Sequence, residues 1–323
     1  MSESSTATTM KQLRITAIRQ VAEGVNSYEL EDPEGATLEE FSAGAHIAVQ
    51  VPNGSIRKYS LCNSPTDRHR YVIAVKRDEQ GRGGSISLTD DAHVGDLIPA
   101  SAPENAFPLT LNNTGYLFIA GGIGITPILA MIKTLEFNEI HNWKLYYFTR
   151  NPETTAFLEE LSDVRYQGKV HIHHDYGDQA KSFDIWPLLE KPSARHVYCC
   201  GPRGLMVAVR DMSGHWPEEK VHFESFLDGA ALQRPDDKPF TVKLSRSGKT
   251  VSVPVGGTIL ESLRSVGCNV TASCESGSCG SCRTRLLGGQ ADHRDFVLTP
   301  HEKDDHIMVC VSRALSEELV LDL

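Results

Sequence analysis

Cys274-Glu-Ser-Gly-Ser-Cys279-Gly-Ser-Cys282, followed 28 positions later by Cys310, decides how this chain is read. The spacing C-x4-C-x2-C with a distant fourth cysteine is that of a plant-type [2Fe–2S] ligand set. Two bridged iron ions need four thiolates; one tight loop can supply three and a later segment the last. Between the cysteines lie only serine, glycine and one glutamate. Residues this small let backbone N–H groups approach the sulfurs, where hydrogen bonds tune a reduction potential. The alternatives are a zinc site or a set of buried thiols. Structural zinc favours two matched cysteine knuckles, and here the x4 gap and the single final cysteine supply no second one. The metal set is therefore expected to be Cys274, Cys279, Cys282 and Cys310, and the chain to move electrons.

Working outward, residues 239–323 open with Phe240-Thr-Val-Lys-Leu, a Ser-Gly-Lys turn and Thr250-Val-Ser-Val, which together suggest a hairpin. Thr258 then caps a short helix that Gly267 ends. Hairpin, helix, cysteine loop and closing strand suit a small α+β (β-grasp) ferredoxin domain. Residues 227–238 are polar and carry prolines, and are expected to be a linker. In residues 113–226, continuous apolar runs (Tyr116-Leu-Phe-Ile-Ala, Lys144-Leu-Tyr-Tyr-Phe, His196-Val-Tyr-Cys-Cys) alternate with helical stretches such as Thr126 to Glu136. Buried strands alternating with helices mean a doubly wound, parallel α/β sheet. Residues 12–112 instead show short alternating strands separated by turns such as Pro52-Asn-Gly, the pattern of an antiparallel β-barrel. Residues 1–11, rich in serine and threonine, are expected to be a disordered tail.

A chain of 323 residues suits this multidomain division. A formal charge of −10 argues against nucleic acid, which demands a basic face. The acidity is uneven: residues 239–323 hold 10 acidic and 9 basic side chains, so the excess lies earlier. The longest apolar run, Tyr116 to Ile132, is broken by three glycines and a Thr-Pro, and suits a strand, turn and helix rather than a membrane span. Met1 to Met10 has no apolar core and is not expected to be a secretory signal. The expectation is a cytoplasmic monomer with no membrane association. Cys62, Cys199, Cys200 and Cys268 sit in apolar or turn contexts, where a small buried hydrophobe is the default.

Gly121-Gly-Ile-Gly-Ile-Thr-Pro127 follows a buried strand and opens a helix, so a pyrophosphate could approach bare backbone at a helix N-terminus. It departs from the G-x-G-x-x-G fingerprint, which points to a related nicotinamide site. Cys200-Gly-Pro202 ends another apolar strand, at the carboxyl edge where open α/β sheets bind ligands. In the barrel, Arg57-Lys-Tyr59-Ser60-Leu61 offers a cation, a flat phenol and a hydroxyl. Gly81-Arg-Gly-Gly84-Ser85 leads into a helix and offers a second phosphate cradle. Either pentamer alone suits a basic hairpin equally well.

Together, in this order, these motifs resemble the phthalate dioxygenase reductase family, itself similar to ferredoxin–NADP reductases with a plant-type ferredoxin fused at the C-terminus. The resemblance runs from about residue 12 to 323 and includes His222-Phe-Glu-Ser-Phe226, Ala291-Asp-His-Arg-Asp-Phe and Val309-Cys-Val-Ser-Arg-Ala. It implies FMN held by Arg57, Tyr59, Ser60 and Leu61, with Gly84 and Ser85 near its phosphate; FAD remains open. It implies NADH bound by Gly122, Thr126, Gly201 and Pro202, with Ser60, Cys200 and Phe226 at the reacting rings. NADPH also stays open, because Arg150 follows the strand Leu145 to Phe148 where a cation meets a 2′-phosphate; a solvated loop arginine is the simpler reading. Nicotinamide delivers a hydride whereas the cluster takes single electrons, and a flavin exchanges with both. The implied activity is NADH-dependent oxidoreduction, from NADH through FMN and [2Fe–2S] to a separate terminal oxygenase of Rieske type acting on aromatic or O-methylated substrates. No Rieske ligand set lies in this chain. Rival outlets are a P450 or free flavin, and a non-enzymatic rival is a redox-sensing or zinc-stabilised module.

His171, His173 and His174 invite a metal reading, yet strand alternation turns His174 away from the other two. His293 and Arg294 are expected to be surface loop residues after Gly288-Gly289.

Overall fold

The computed structural model describes residues 10–112, 114–226 and 234–323, so the expected tail lies almost wholly, and the expected linker partly, outside the described residues. The chain divides into two compact units, Met1–His222 and Phe223–Leu323.

The first unit opens with β1 (Met10–Ala22), β2 (Val25–Glu31), β3 (Ala45–Gln50), β4 (Ile56–Ser60) and β5 (Arg70–Lys76). A helix α1 (Gly84–Asp91) and strands β6 (Leu97–Ser101) and β7 (Glu104–Asn105) follow. The strands pair in the order β4-β3-β6-β1-β2-β5, with β7 added to β3. An antiparallel bridge from Leu61 to Ile73 joins the two ends of that path, so the sheet closes into a barrel. Closure removes the unpaired edges that an open antiparallel sheet would present. Ile15, Tyr28, Ile47, Val49, Leu61 and Ile73 fill the interior, each at most 1% exposed.

The sheet of the same unit comprises β8 (Tyr116–Gly121), β9 (Trp143–Thr149), β10 (Val170–His174), β11 (His196–Cys200) and β12 (Val221–Glu224), in the order β10-β9-β8-β11-β12. β8 is parallel to β9 and β11, and β9 to β10. Helices α2 (Ile125–Phe137), α3 (Leu158–Leu161), α4 (Trp186–Leu189) and α5 (Arg203–Met212) make the crossovers. All six residues of β8 are buried, as a strand covered on both faces must be. The winding reverses between β8 and β11, which opens a crevice beyond their carboxyl ends.

Barrel and sheet share one apolar cluster in which Val25, Ala43, Cys62, Ala74 and Phe107 meet Ile128, Met131 and Tyr198. Gly44 shows how close the approach is. At φ +91° it sits where a Cβ would lie 1.9 Å from the Phe107 carbonyl oxygen, so only glycine fits.

The second unit has β13 (Phe240–Leu244), β14 (Thr250–Val253), α6 (Ile259–Ser265), β15 (Arg283–Gly288), β16 (Ala291–Asp292), β17 (His306–Met308), β18 (Arg313–Ala314) and β19 (Glu318–Leu321). Its main sheet runs β14-β13-β19-β15-β17, with β13 and β19 parallel at the centre. Helix α6 packs Ile259, Leu260 and Leu263 into its core, the β-grasp arrangement expected. Thr258 and Glu261 form a reciprocal capping box at its start, and the Gly267 and Cys268 N–H groups close its end on Arg264 and Leu263. The long loop from there to β15 carries three of the four signature cysteines.

Candidate functional site

At the reversal point, Gly121 and Gly201 end strands β8 and β11 side by side. A Cβ on Gly201 would lie 2.9 Å from the Gly121 nitrogen, and one on Gly121 would lie 2.5 Å from the Pro202 ring. Gly124 is tighter still, at 2.3 Å from the Cys200 carbonyl oxygen. The two loops are thus pressed backbone to backbone. By contrast nothing lies within 4 Å of a Cβ on Gly122, whose φ is +52°. That glycine faces open space at the mouth of α2, while the Tyr147 hydroxyl fixes its carbonyl at 2.9 Å. Thr126 is 2% exposed and donates to the Ile123 carbonyl, so it braces the turn. Gly122, Thr126, Gly201 and Pro202 are therefore one assembly around bare helix-terminal backbone, the chemistry a dinucleotide pyrophosphate needs. Cys200 joins it by its backbone alone, because its side chain is fully enclosed in the core.

The barrel motif lies on β4 and the residue after it. Its register pairs Arg57 with Val49 and Tyr59 with Ile47, so Arg57, Tyr59 and Leu61 share one face and Ser60 the other. Leu61 is 0% exposed inside the barrel, so its side chain packs the core and only its main chain is left to meet a cofactor. Tyr59 packs against that core with its hydroxyl enclosed and without a hydrogen-bond partner. Burial pushes its phenol up to about 12, so it stays a neutral donor. Arg57 lies across Gly84, where a Cβ would sit 2.5 Å from its Nε, and donates to the carbonyls of Ile56 and Arg82. The N-terminus of α1 has no side-chain cap and no acidic residue in its first turn. Exposed helix N–H groups beside a guanidinium form an anion cradle. Ser85 keeps its turn closed by accepting from the Asp78 N–H at 3.1 Å. An enclosed, unpartnered phenol and a bare phosphate cradle fit a flavin mononucleotide.

These two assemblies are brought together. Lys133 of α2 donates to the Cys62 carbonyl at 3.1 Å, which ties the end of the barrel motif to the helix that begins at the glycine loop. Tyr198 of β11 accepts from the Thr110 N–H at 2.9 Å. Phe226, 46% exposed, falls in the second unit and is not among the side chains that the first unit assembles.

In the second unit the four signature cysteines approach as two hydrogen-bonded pairs, Cys274 with Cys279 and Cys282 with Cys310. The Cys279 thiol, then the Ser276 hydroxyl and the N–H groups of Ser276 and Ser278, hold Cys274 as a thiolate near 4 against its burial. Cys279 is raised as the donor of that pair. The Ser276 N–H lies 3.4 Å from the Cys274 sulfur, the Ser281 hydroxyl 3.0 Å from that of Cys279, and the Gly277 N–H donates to Cys310. Glu275, Gly277 and Gly280 take φ of +56°, +75° and +81°, which turns successive N–H groups toward the sulfurs. Four cysteine sulfurs in two pairs, supplied with N–H donors, fit a two-iron cluster that would take all four as thiolates.

The histidines that suggested a metal have other partners. His171 stacks on Tyr146, His173 bonds to the Lys181 carbonyl, and His174 to the Thr149 hydroxyl. Arg294 requires a correction. It is 2% exposed and ion-paired to Asp237 and Asp292, not a surface residue. The pattern Asp292-x-Arg294 was visible in the sequence, but Asp237 lies 57 residues away.

Two family models match parts of the chain. Residues 118–211 match the oxidoreductase NAD-binding domain, and residues 242–315 match the 2Fe-2S iron-sulfur cluster binding domain. The phthalate dioxygenase reductase of Burkholderia cepacia is 54% identical over 97% of both chains. The phthalate 4,5-dioxygenase oxygenase reductase subunit of Pseudomonas putida is 53% identical over 96% of both. A solved structure of phthalate dioxygenase reductase, described as modular for electron transfer from pyridine nucleotides to [2Fe-2S], matches with a TM-score of 0.72 and 51% identity, covering 97% of this chain and 98% of that one. With more than half of its residues identical to these relatives over nearly the whole of each chain, the chain belongs to the phthalate dioxygenase reductase family.

Proposed function

We propose that this chain is the NADH-dependent reductase component of an oxygenase system, carrying electrons from NADH by way of FMN and a [2Fe–2S] cluster to a separate oxygenase of Rieske type. The observation that carries this reading is the Lys133–Cys62 tie, which sets the barrel motif against the helix that begins at the glycine crevice. A hydride donor and its acceptor must sit face to face, and the tie supports this by joining the end of the barrel motif to the helix that follows the glycine loop. Bound between them, a flavin supplies the exchange between a two-electron donor and a one-electron cluster.

The residues divide the work. Arg57 and the first turn of α1, with Gly84 and Ser85, hold the flavin phosphate. The Tyr59 hydroxyl donates to the bound group, and Ser60 lies on the opposite face of β4. Gly122, Gly201 and Pro202 receive the nucleotide, with Thr126 keeping the turn shut. Cys200 contributes its main chain, and Phe226 is assigned to the flavin region by family resemblance. Cys274, Cys279, Cys282 and Cys310 hold the two irons. Asp175 and Asp178 follow the carboxyl end of β10, and Asp175 is held there by the Gly177 N–H at 2.8 Å. Carboxylates at that edge suit the ribose hydroxyls of NADH and repel a 2′-phosphate.

An anaerobic visible spectrum before and after NADH tests the reading. Flavin and iron–sulfur bands that both bleach support it; a colourless protein, or one that bleaches only with NADPH, refutes it. Among the described residues no helix is long and apolar enough to cross a membrane.

A further inference from the structure

The second unit buries two arginines and two aspartates away from the cysteines. Arg294 donates from Nη1 and Nη2 to both oxygens of Asp237, at 2.9 and 2.5 Å, and from Nε and Nη2 to Asp292, at 2.8 and 2.6 Å. Arg313 approaches Asp237 at 3.5 Å and donates to the carbonyls of Gly257, Lys238 and Pro254. The side chains of Arg294, Arg313, Asp237 and Asp292 are 2%, 4%, 6% and 13% exposed. A buried ion network is a poor source of net stability, since an apolar replacement often serves as well. Its forked geometry, however, fixes direction in a way that apolar contacts do not.

What Arg294 directs is its own backbone. Its N–H donates to the Ser312 hydroxyl at 3.4 Å, two residues after Cys310. Two residues on, the Phe296 N–H donates to the Gly277 carbonyl at 2.9 Å. Between them Asp295 passes so near Gly277 that a Cβ there would meet its Cα at 3.2 Å. Gly277 lies between Cys274 and Cys279, and its own N–H serves Cys310. Residues 294–296 therefore brace both segments that carry the cysteines, and the guanidinium anchors that brace to Asp237.

We propose that Arg294, through its fork to Asp237 and Asp292, is a positioning residue for the iron–sulfur site, setting the aim of the Gly277 N–H and with it the cluster's reduction potential. The proposal rests on the [2Fe–2S] reading above.

The test uses the full-length holoprotein with Arg294→Lys, Asp237→Asn and, as a control, Arg313→Lys. Arg313 shares Asp237, but its other hydrogen-bond partners are the carbonyls of Gly257, Lys238 and Pro254. Iron and sulfide content, visible circular dichroism, electron paramagnetic resonance of the reduced state and the midpoint potential are measured on each. Arg294→Lys and Asp237→Asn are expected to load iron normally, to lower the midpoint potential and to alter the dichroism. NADH-driven cluster bleaching should slow at least threefold while flavin bleaching keeps its rate. Arg313→Lys should lower the melting temperature and leave potential and spectra alone. If Arg294→Lys does not load, Asp237→Asn alone decides. Unchanged potential and spectra in a loaded variant, or an equal shift in Arg313→Lys, would overturn the proposal. A wild-type protein with no cluster signal would instead sink the reading beneath it.

Discussion

Replacing Tyr59 by phenylalanine removes one hydroxyl and nothing else from the barrel. That hydroxyl is enclosed and has no partner among the described residues. A buried polar group left unpaired costs about 1–3 kcal/mol. Without flavin, Tyr59→Phe should therefore raise stability by about 1 kcal/mol, which for a unit of this size raises the melting temperature by roughly 2–4 °C. With flavin the sign reverses. A hydrogen bond to a neutral flavin group contributes about 1 kcal/mol, and one to a charged group up to about 3. The dissociation constant should rise about fivefold to a hundredfold. Apoprotein melts and flavin-fluorescence titration measure the two halves separately. Because burial keeps the phenol neutral, both effects should be flat from pH 6 to 9. A variant that melts lower as apoprotein and binds flavin as tightly as wild type would refute the reasoning, because the hydroxyl would then serve the barrel.

Three further outcomes are expected. Cys274→Ser should abolish reduction of a protein acceptor while NADH oxidation by ferricyanide persists; loss of both would contradict independent sites. Gly124→Ala places a methyl 2.3 Å from the Cys200 carbonyl oxygen, an overpacking of about 1–3 kcal/mol, so the KM for NADH in the ferricyanide assay should rise at least fivefold with flavin content unchanged. Asp237→Asn should lower the melting temperature of the iron–sulfur unit, because hydrogen bonds from Arg294 hold that carboxyl at about 2. Since its folded value lies below the usual 3.8, the contribution, roughly 2 kcal/mol, is present above pH 4 and lost as pH falls toward 2. Scanning calorimetry at pH 7 and pH 3 checks it: the gap between wild type and variant should narrow at pH 3.

Much of the fold was legible because its signals are local. Continuous apolar runs at Tyr116 and His196 mark strands buried on two faces, and Thr258 with Glu261 marks a helix start within four residues. The cysteine loop was legible for the same reason, since its spacing is its chemistry. Period-two alternation already separates Tyr59 and Leu61 from Ser60 along the strand, and the register shows the same separation. What sequence could not disclose were partnerships between distant residues. Lys133 meets Cys62 across 71 positions and Arg294 meets Asp237 across 57, and no periodicity encodes either. An arginine between two aspartates looks solvated until the fold closes water away from it.

The enclosed thiols of the first unit have a consequence for wear. Reduced flavins react with dioxygen and release peroxide, which attacks thiolates far faster than thiols. Cys62, Cys199 and Cys200 are each at most 1% exposed, and burial pushes Cys62 up to about 12 and Cys199 higher still. All three are sealed in the core, and burial keeps Cys62 and Cys199 protonated, so they offer oxidants little to consume. They also present no competing ligands while iron is delivered to the four cysteines meant for it. The chain can thus work beside its own source of peroxide and lose activity first at the metal loop.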